Sequence, residues 1–348
     1  MPKVEIMATS WFRRLGTKRS GFRYVTPLGR EIRDRRTVER LEALRVPPAW
    51  RDVHLATTPR SAIQAWGFDA RGRKQYRYND RAVERRELRK YHRVRQLAKD
   101  LPRVRRALHL DTRPRLRADS LDADAVAATV LRLISETFCR VGGERYAREN
   151  GTFGITTLRK SHVQLCDGTA CFDYRGKGSI RQRQVVADAD LIKLVARQLR
   201  TPGTKLFRYK RNGAWRVISA RDVNEYLQER IGWYSAKDFR TWGGTLRAAT
   251  VLAELGPAKS PAEAKRNVAL AMRLVSTELG NTPTICRKSY VHPLVIARYL
   301  DDGETIALPR TRRHAPNRGQ AHSPEERALI DFLDRHFPER RSERRADA

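Results

Sequence analysis

The spacing of apolar residues changes character along the chain. Up to about residue 80 the apolar positions come in short runs bounded by turn residues, as in "GFRYVTPLGREIRD", where a Pro-Leu-Gly turn separates two short extended runs. This part reads as strands. Beyond Asp80 the pattern becomes helical and heavily charged ("RAVERRELRKYHRVRQLAKDL"), a passage between two domains. "SLDADAVAATVLRLISETFCR" repeats its apolar residues at helical spacing, and its helix is expected to end near Gly142 and Gly143. Alternation returns in "HVQLCDGTACFDYRGKGSIRQRQVV" around Asp167-Gly168, a two-residue hairpin signal. A second turn at Gly176-Lys177-Gly178 makes this a three-stranded meander with Lys177 at a hairpin tip, and Asn212-Gly213 marks a further turn.

Helix starts are marked by capping boxes at Ser219–Asp222, Ser235–Asp238 and Ser260–Glu263, the last with Pro261 at the first helical position. The helix begun at Ser260 stops at Gly280, which puts Asn281 directly after a helix C-cap. The expected organisation is an extension over 1–20, a β-rich domain over 21–95, a mainly helical domain over 96–303 and a basic, partly disordered tail over 304–348. In that tail "SPEERALIDFLDRHF" has the pattern of a short amphipathic helix. The fold class is therefore α+β: a small β-rich amino-terminal domain and a larger helical domain with a three-stranded β insertion, arranged as a clamp.

Charge narrows the function. The 348 residues carry 72 Lys and Arg against 39 Asp and Glu, a net +33 spread from end to end. Such a chain associates with polyanions, with counterion release from nucleic acid as the main source of affinity. The longest apolar runs fall far short of a membrane span. The four cysteines (Cys139, Cys166, Cys171 and Cys286) form no CxxC pair, which argues against zinc and for a reducing, intracellular setting. Asp188 and Asp190 read either as a metal pair or as the cap of the helix that follows. Around Trp66, Tyr76 and Tyr78 lie Arg71, Arg73, Lys74 and Arg77. That interleaving suits a strand laid on a nucleic-acid backbone, or an ordinary half-buried strand with solvated arginines.

A tyrosine in the cationic stretch "LGNTPTICRKSYVHP" raises the question of chemistry. A phenol that attacks a phosphodiester needs cations to favour the phenolate, and guanidinium groups for the charge of the pentavalent state. It also needs an acid for the departing alkoxide. Taken singly, Arg140, Lys177, Arg240, Asn281 and Tyr290 are as easily a helix-end arginine, a solvated lysine, a paired arginine, a turn residue and a core tyrosine.

Taken in order, they resemble the catalytic blocks of type IB DNA topoisomerases, especially the compact poxvirus-like enzymes of bacteria. "FCRVGGERYARENGTFGITTLRKSHV" resembles the segment of the first catalytic arginine, at Arg140. "YRGKG" resembles the lysine hairpin, with the general acid at Lys177. "KDFRTWGGT" resembles the second-arginine motif, at Arg240, and "LGNTPTICRKSYVHP" the nucleophile segment, at Tyr290. The similarity extends through "DARGRKQYRY" and covers all but the first twenty residues and the tail after Gly303. Tyr146 aligns with a family tyrosine near the DNA phosphates, and Tyr76, Tyr78, Arg73 and Lys74 are the expected DNA contacts of the first domain. Where poxviral and eukaryotic members have a histidine, this chain has Asn281, whose amide can donate a hydrogen bond but carries no titrating proton.

The resemblance implies a cytoplasmic, nucleoid-associated, monomeric bacterial enzyme that relaxes duplex DNA through a 3′-phosphotyrosine. It would use no cofactor or metal, no ATP and no small-molecule substrate. The rival enzyme is a tyrosine recombinase, in which a histidine commonly stands where this chain has Lys237. The non-enzymatic rival is a basic DNA-coating protein.

Overall fold

Turns whose residues accept a positive φ fix the short hairpins. Asp167 and Gly168 (φ 37° and 74°) and Asn212 and Gly213 (φ 51° and 78°) both take the left-handed conformation that a two-residue hairpin loop requires. These features come from a computed structural model, which describes residues 11–114, 121–308 and 320–336. The described chain divides into two units, with the boundary between Lys90 and Tyr91.

The smaller unit contains β1 (Trp11–Thr17), β2 (Gly21–Val25), α1 (Arg35–Ala43), β3 (Arg51–Ala56), β4 (Ile63–Phe68) and β5 (Lys74–Tyr78). Its strands form one antiparallel sheet in the order β2-β1-β3-β4-β5. One face packs Tyr24, Val53, Leu55 and Ala65 with Leu41 of α1 into a small core. The sheet begins at Trp11, inside the twenty residues expected to be an extension.

Helix α2 (Asp80–Thr112) runs without a break through the unit boundary, although Pro102 lies inside it. In the larger unit follow α3 (Ala123–Thr137), α4 (Glu144–Asn150), β6 (Val163–Cys166), β7 (Thr169–Arg175), β8 (Arg181–Val186) and α5 (Ala189–Leu199). After them come β9 (Arg208–Arg211), β10 (Ala214–Val217), α6 (Ala220–Arg230), α7 (Ala236–Leu255), α8 (Pro261–Leu279), α9 (Pro283–Ser289), α10 (Pro293–Asp302) and α11 (Pro324–His336). The three-stranded meander is present in the order β6-β7-β8. With the sheet and the helical unit, the fold class is α+β as expected.

Local signals act where the sequence places them. Ser219 and Asp222 form a reciprocal box at the start of α6, as do Ser235 and Asp238 at the start of α7. Asp188 accepts the Leu191 N–H and so caps α5, which decides its reading in favour of the cap. One expectation is corrected. Helix α3 ends at Phe138, in the left-handed conformation at φ 52°, and not at the glycines beyond. The amphipathic helix expected in "SPEERALIDFLDRHF" is formed as α11, and its Leu329, Phe332 and Leu333 are at most 1% exposed and belong to the main core. Residues 1–10, 309–319 and 337–348, which include much of the expected tail, lie outside the described residues.

Candidate active site

The end of α8 is the floor of the site. Gly280 caps that helix at φ 56°, and its reversal brings Asn281 back over the last turn, with the Asn281 N–H on Ser276 O at 3.0 Å. Two guanidinium groups dock on the carbonyls left open there. Arg240 donates from Nη2 to Leu279 O at 2.8 Å, and Arg140 from Nη1 to Gly280 O at 3.1 Å. Cations suit a helix C-terminus, so the terminus fixes both side chains side by side. Arg140 also donates to Asn281 Oδ1, and Arg240 to Phe138 O. This second bond explains the early stop of α3: turning at Phe138 presents its carbonyl to Arg240.

Tyr290 ends α9, which Thr282 caps by accepting the Ile285 N–H and which opens on Pro283. The Arg240 guanidinium carbon lies 5.2 Å from the centre of the Tyr290 ring. Burial pushes the Tyr290 phenol up, but the charges of Arg240 and Arg140, hydrogen bonding from Arg240 and the charge of Lys237 outweigh it, so the pKa lies below the ordinary tyrosine value. Burial, then the neighbouring Arg240 charge, lower the Arg140 pKa, against the pull of Tyr290 and Tyr174. A buried and a half-buried cation held together, with no carboxylate of the described residues bonded to either, make a site for an anion. Two N–H groups are also left without a protein partner among the described residues: Asn281 Nδ2 and Arg240 Nε, both buried.

The paired glycines of "TWGG" make room for this assembly. A Cβ on Gly243 would lie 2.4 Å from the Phe138 ring, and one on Gly244 would lie 2.8 Å from Tyr290 O and 3.2 Å from Tyr290 Cβ. Cys286, one turn before the tyrosine, is fully buried, and burial pushes its thiol up to about 11, so it stays a neutral packing group.

Arg140, Arg240, Asn281 and Tyr290 thus come together, while Lys177 stands on the exposed β7–β8 turn, beside Gly178 at φ 72°. The buried Gln182 links the two places. A Cβ on Gly176, before the lysine, would meet Gln182 Cγ at 2.8 Å, and one on Gly280 would meet Gln182 Nε2 at 1.8 Å. Nothing in the sequence marked Gln182; its position two residues apart from Gln184, which bonds Glu278 O at 3.3 Å, becomes informative only once β8 is seen beside α8.

Tyr146 projects from α4 and is 62% exposed. In the smaller unit, Lys74, Tyr76 and Tyr78 alternate along the edge strand β5. The Tyr76 and Tyr78 rings stack 5.9 Å apart, both exposed, and Lys74 Nζ lies 3.6 Å from the Trp66 ring centre. Trp66 stacks in turn on His54 at 3.9 Å, so the face opposite the small core is a ribbon of aromatic and cationic groups. Arg73 is less available, because it pairs with Asp69 and, with the surrounding N–H groups, holds that carboxyl down at about 2.

The chain matches two family models. The one for the catalytic core of eukaryotic DNA topoisomerase I spans residues 74–309, and the one for the N-terminal domain of bacterial DNA topoisomerase IB spans residues 21–69. The chain belongs to the type IB DNA topoisomerase family. Among its relatives, the DNA topoisomerase 1B of Acanthamoeba polyphaga mimivirus is 32% identical over 276 residues, covering 77% of this chain and 81% of the viral one. The DNA topoisomerase 1B of Vaccinia virus (strain Copenhagen) is 23% identical over 253 residues, 70% of this chain and 75% of its own. The DNA topoisomerase 1 of Schizosaccharomyces pombe is 28% identical over 174 residues, which is 49% of this chain and 20% of the yeast protein. A type IB topoisomerase is a DNA-binding isomerase, and neither the recombinase nor the coating-protein reading is favoured. No helix among the described residues is long and apolar enough to cross a membrane.

Proposed function

We propose that this topoisomerase relaxes duplex DNA by attack of Tyr290 Oη on a backbone phosphorus. The phenol gives its proton to solvent, the new P–O bond forms to Tyr290, and the P–O5′ bond breaks. Lys177 Nζ protonates the departing O5′, leaving a 3′-phosphotyrosine and a free 5′-hydroxyl. Arg140, Arg240 and the Asn281 amide share the charge of the non-bridging oxygens in the pentavalent state. Rotation of the free end releases torsional strain, and attack by the 5′-hydroxyl reverses each step. One phosphodiester replaces another of similar energy, so ATP has no part to play.

The observation that carries this reading is the convergence of a buried and a half-buried guanidinium group and an unpartnered amide N–H on a phenol of lowered pKa. Lys177 enters because its turn is joined to that group by Gln182, which packs beside both Gly176 and Gly280. Tyr146, Tyr76, Tyr78 and Lys74 hold the duplex by phosphate and stacking contacts, with Arg73 in support once it leaves Asp69. The enzyme acts as a monomer at the bacterial nucleoid.

The test is to denature the protein on nicked DNA and identify the modified residue. Tyr290 linked to a 3′-phosphate is expected. Tyr290→Phe should bind duplex as the unaltered chain does and relax none of it. An adduct on another residue, or a fully active Tyr290→Phe, sinks the reading.

A further inference from the structure

The peptide groups around the nucleophile take their hydrogen bonds from residues far away in the chain. The Thr245 hydroxyl on α7, one and a half turns past Arg240, accepts the His292 N–H at 3.0 Å and lies 3.3 Å from Tyr290 O. From the other side the Tyr91 hydroxyl on α2 donates to Val291 O at 2.9 Å, a buried bond across 200 residues of sequence. The Tyr91 ring also packs on His292, centres 4.5 Å apart.

Two residues further along α2, Arg93 donates from Nε and Nη2 to both carboxylate oxygens of Asp238, each at 2.9 Å. Asp238 is 1% exposed and accepts the Ser235 N–H at 2.8 Å in the first turn of α7, two residues before Arg240. Within three residues, α2 therefore holds both the peptide that follows the nucleophile and the start of the helix that carries Arg240. Both grips fall in the first turn of α2 beyond the unit boundary.

We propose that Tyr91 and Arg93 are positioning residues for the cleavage reaction. Acting through Val291 and Asp238, they fix the spacing between Tyr290 Oη and the Arg240 guanidinium without touching the phosphate. This rests on the reading of Tyr290 as nucleophile. A strict demand on reacting geometry is what gives such distant residues a kinetic effect: a misplacement of about 1 Å costs on the order of a hundredfold in rate.

The experiment uses the full chain and three readouts: single-turnover formation of the tyrosyl–DNA adduct, religation from the preformed adduct, and duplex affinity measured in a Tyr290→Phe background. Tyr91→Phe is expected to slow cleavage and religation by the same factor, roughly tenfold, because both pass through one transition state. The cleavage equilibrium and the duplex affinity should stay within about twofold of the unaltered chain. Arg93→Ala should slow both steps at least as much, and Arg93→Lys should recover only part of the loss, since an ammonium keeps the charge opposite Asp238 but cannot make both bonds of the fork.

Unchanged rates in Tyr91→Phe overturn the proposal. So does a loss that disappears once the temperature is lowered well below the variant's unfolding transition, since that is fold stability alone. An unaltered chain that forms no adduct on Tyr290 would instead overturn the nucleophile reading.

Discussion

Replacing Gly244 with alanine should separate activity from stability in one methyl group. The added Cβ would sit 2.8 Å from Tyr290 O, 3.1 Å from Leu279 Cδ1 and 3.2 Å from Tyr290 Cβ. Ordinary contact begins near ~3.4 Å, so the nucleophile's peptide must retreat by roughly half an ångström, and about 1 Å of misplacement costs on the order of a hundredfold. The expected loss is therefore about tenfold in the rate of adduct formation.

Stability should respond differently. An interior helix glycine replaced by alanine gains about 1 kcal/mol of propensity, while overpacking costs about 1–3 kcal/mol. The net change is small, between about zero and 2 kcal/mol of destabilisation. The assay is single-turnover cleavage of a nicked duplex beside thermal unfolding of the same preparation. Gly243→Ala is the contrast: its methyl would enter the Phe138 ring, and it should destabilise the fold more than Gly244→Ala does. A folded Gly244→Ala variant that cleaves at the unaltered rate would refute the idea that this close approach sets the tyrosine's position.

Lys177→Ala should slow cleavage strongly, and a substrate with a 5′-bridging sulfur, a leaving group that needs no proton, should restore the rate; absence of rescue would remove Lys177 from the general-acid role. The rate of cleavage should rise with pH and level off as pH passes the lowered Tyr290 pKa, because the phenolate attacks. Removing one of the cations that lower it, in Arg140→Ala, should move the levelling-off to higher pH as well as slowing the reaction; an unmoved profile would show that the cation does not set it. Leu329→Ala in α11, at a fully buried position, should cost about 2–5 kcal/mol in urea unfolding. A cost near zero would mean that α11 is not part of the cooperative core.

What the sequence made legible was whatever a few neighbouring residues decide. The turns at Asp167-Gly168 and Asn212-Gly213, the boxes at Ser219 and Ser235, and the cap at Gly280 are each set by backbone conformations or side-chain bonds within about four residues. The blocks that resemble the family's catalytic motifs were legible for another reason: each has a distinctive local pattern, and their order along the chain is itself information. Distant partners were not legible. Phe138 ends α3 because Arg240 takes its carbonyl and Gly243 leaves space for its ring, both a hundred residues away. Thr245 and Tyr91 bond backbone groups in other segments, and Gln182 packs beside Gly280, contacts that leave no trace in a pattern of side chains. Helix α11 was legible as an amphipathic pattern, but that its Leu329 and Phe332 fill the main core was not, because the elements they pack against lie far earlier in the chain.

The five groups of the site lie along the chain in the order Arg140, Lys177, Arg240, Asn281 and Tyr290. A ribosome therefore completes every cation before it makes the phenol. On the proposed mechanism, a chain whose synthesis halts between Asn281 and Tyr290 carries the cations of the site without the phenol that would sever a strand. If Tyr290 is the nucleophile, such a truncated product can hold DNA but not open it.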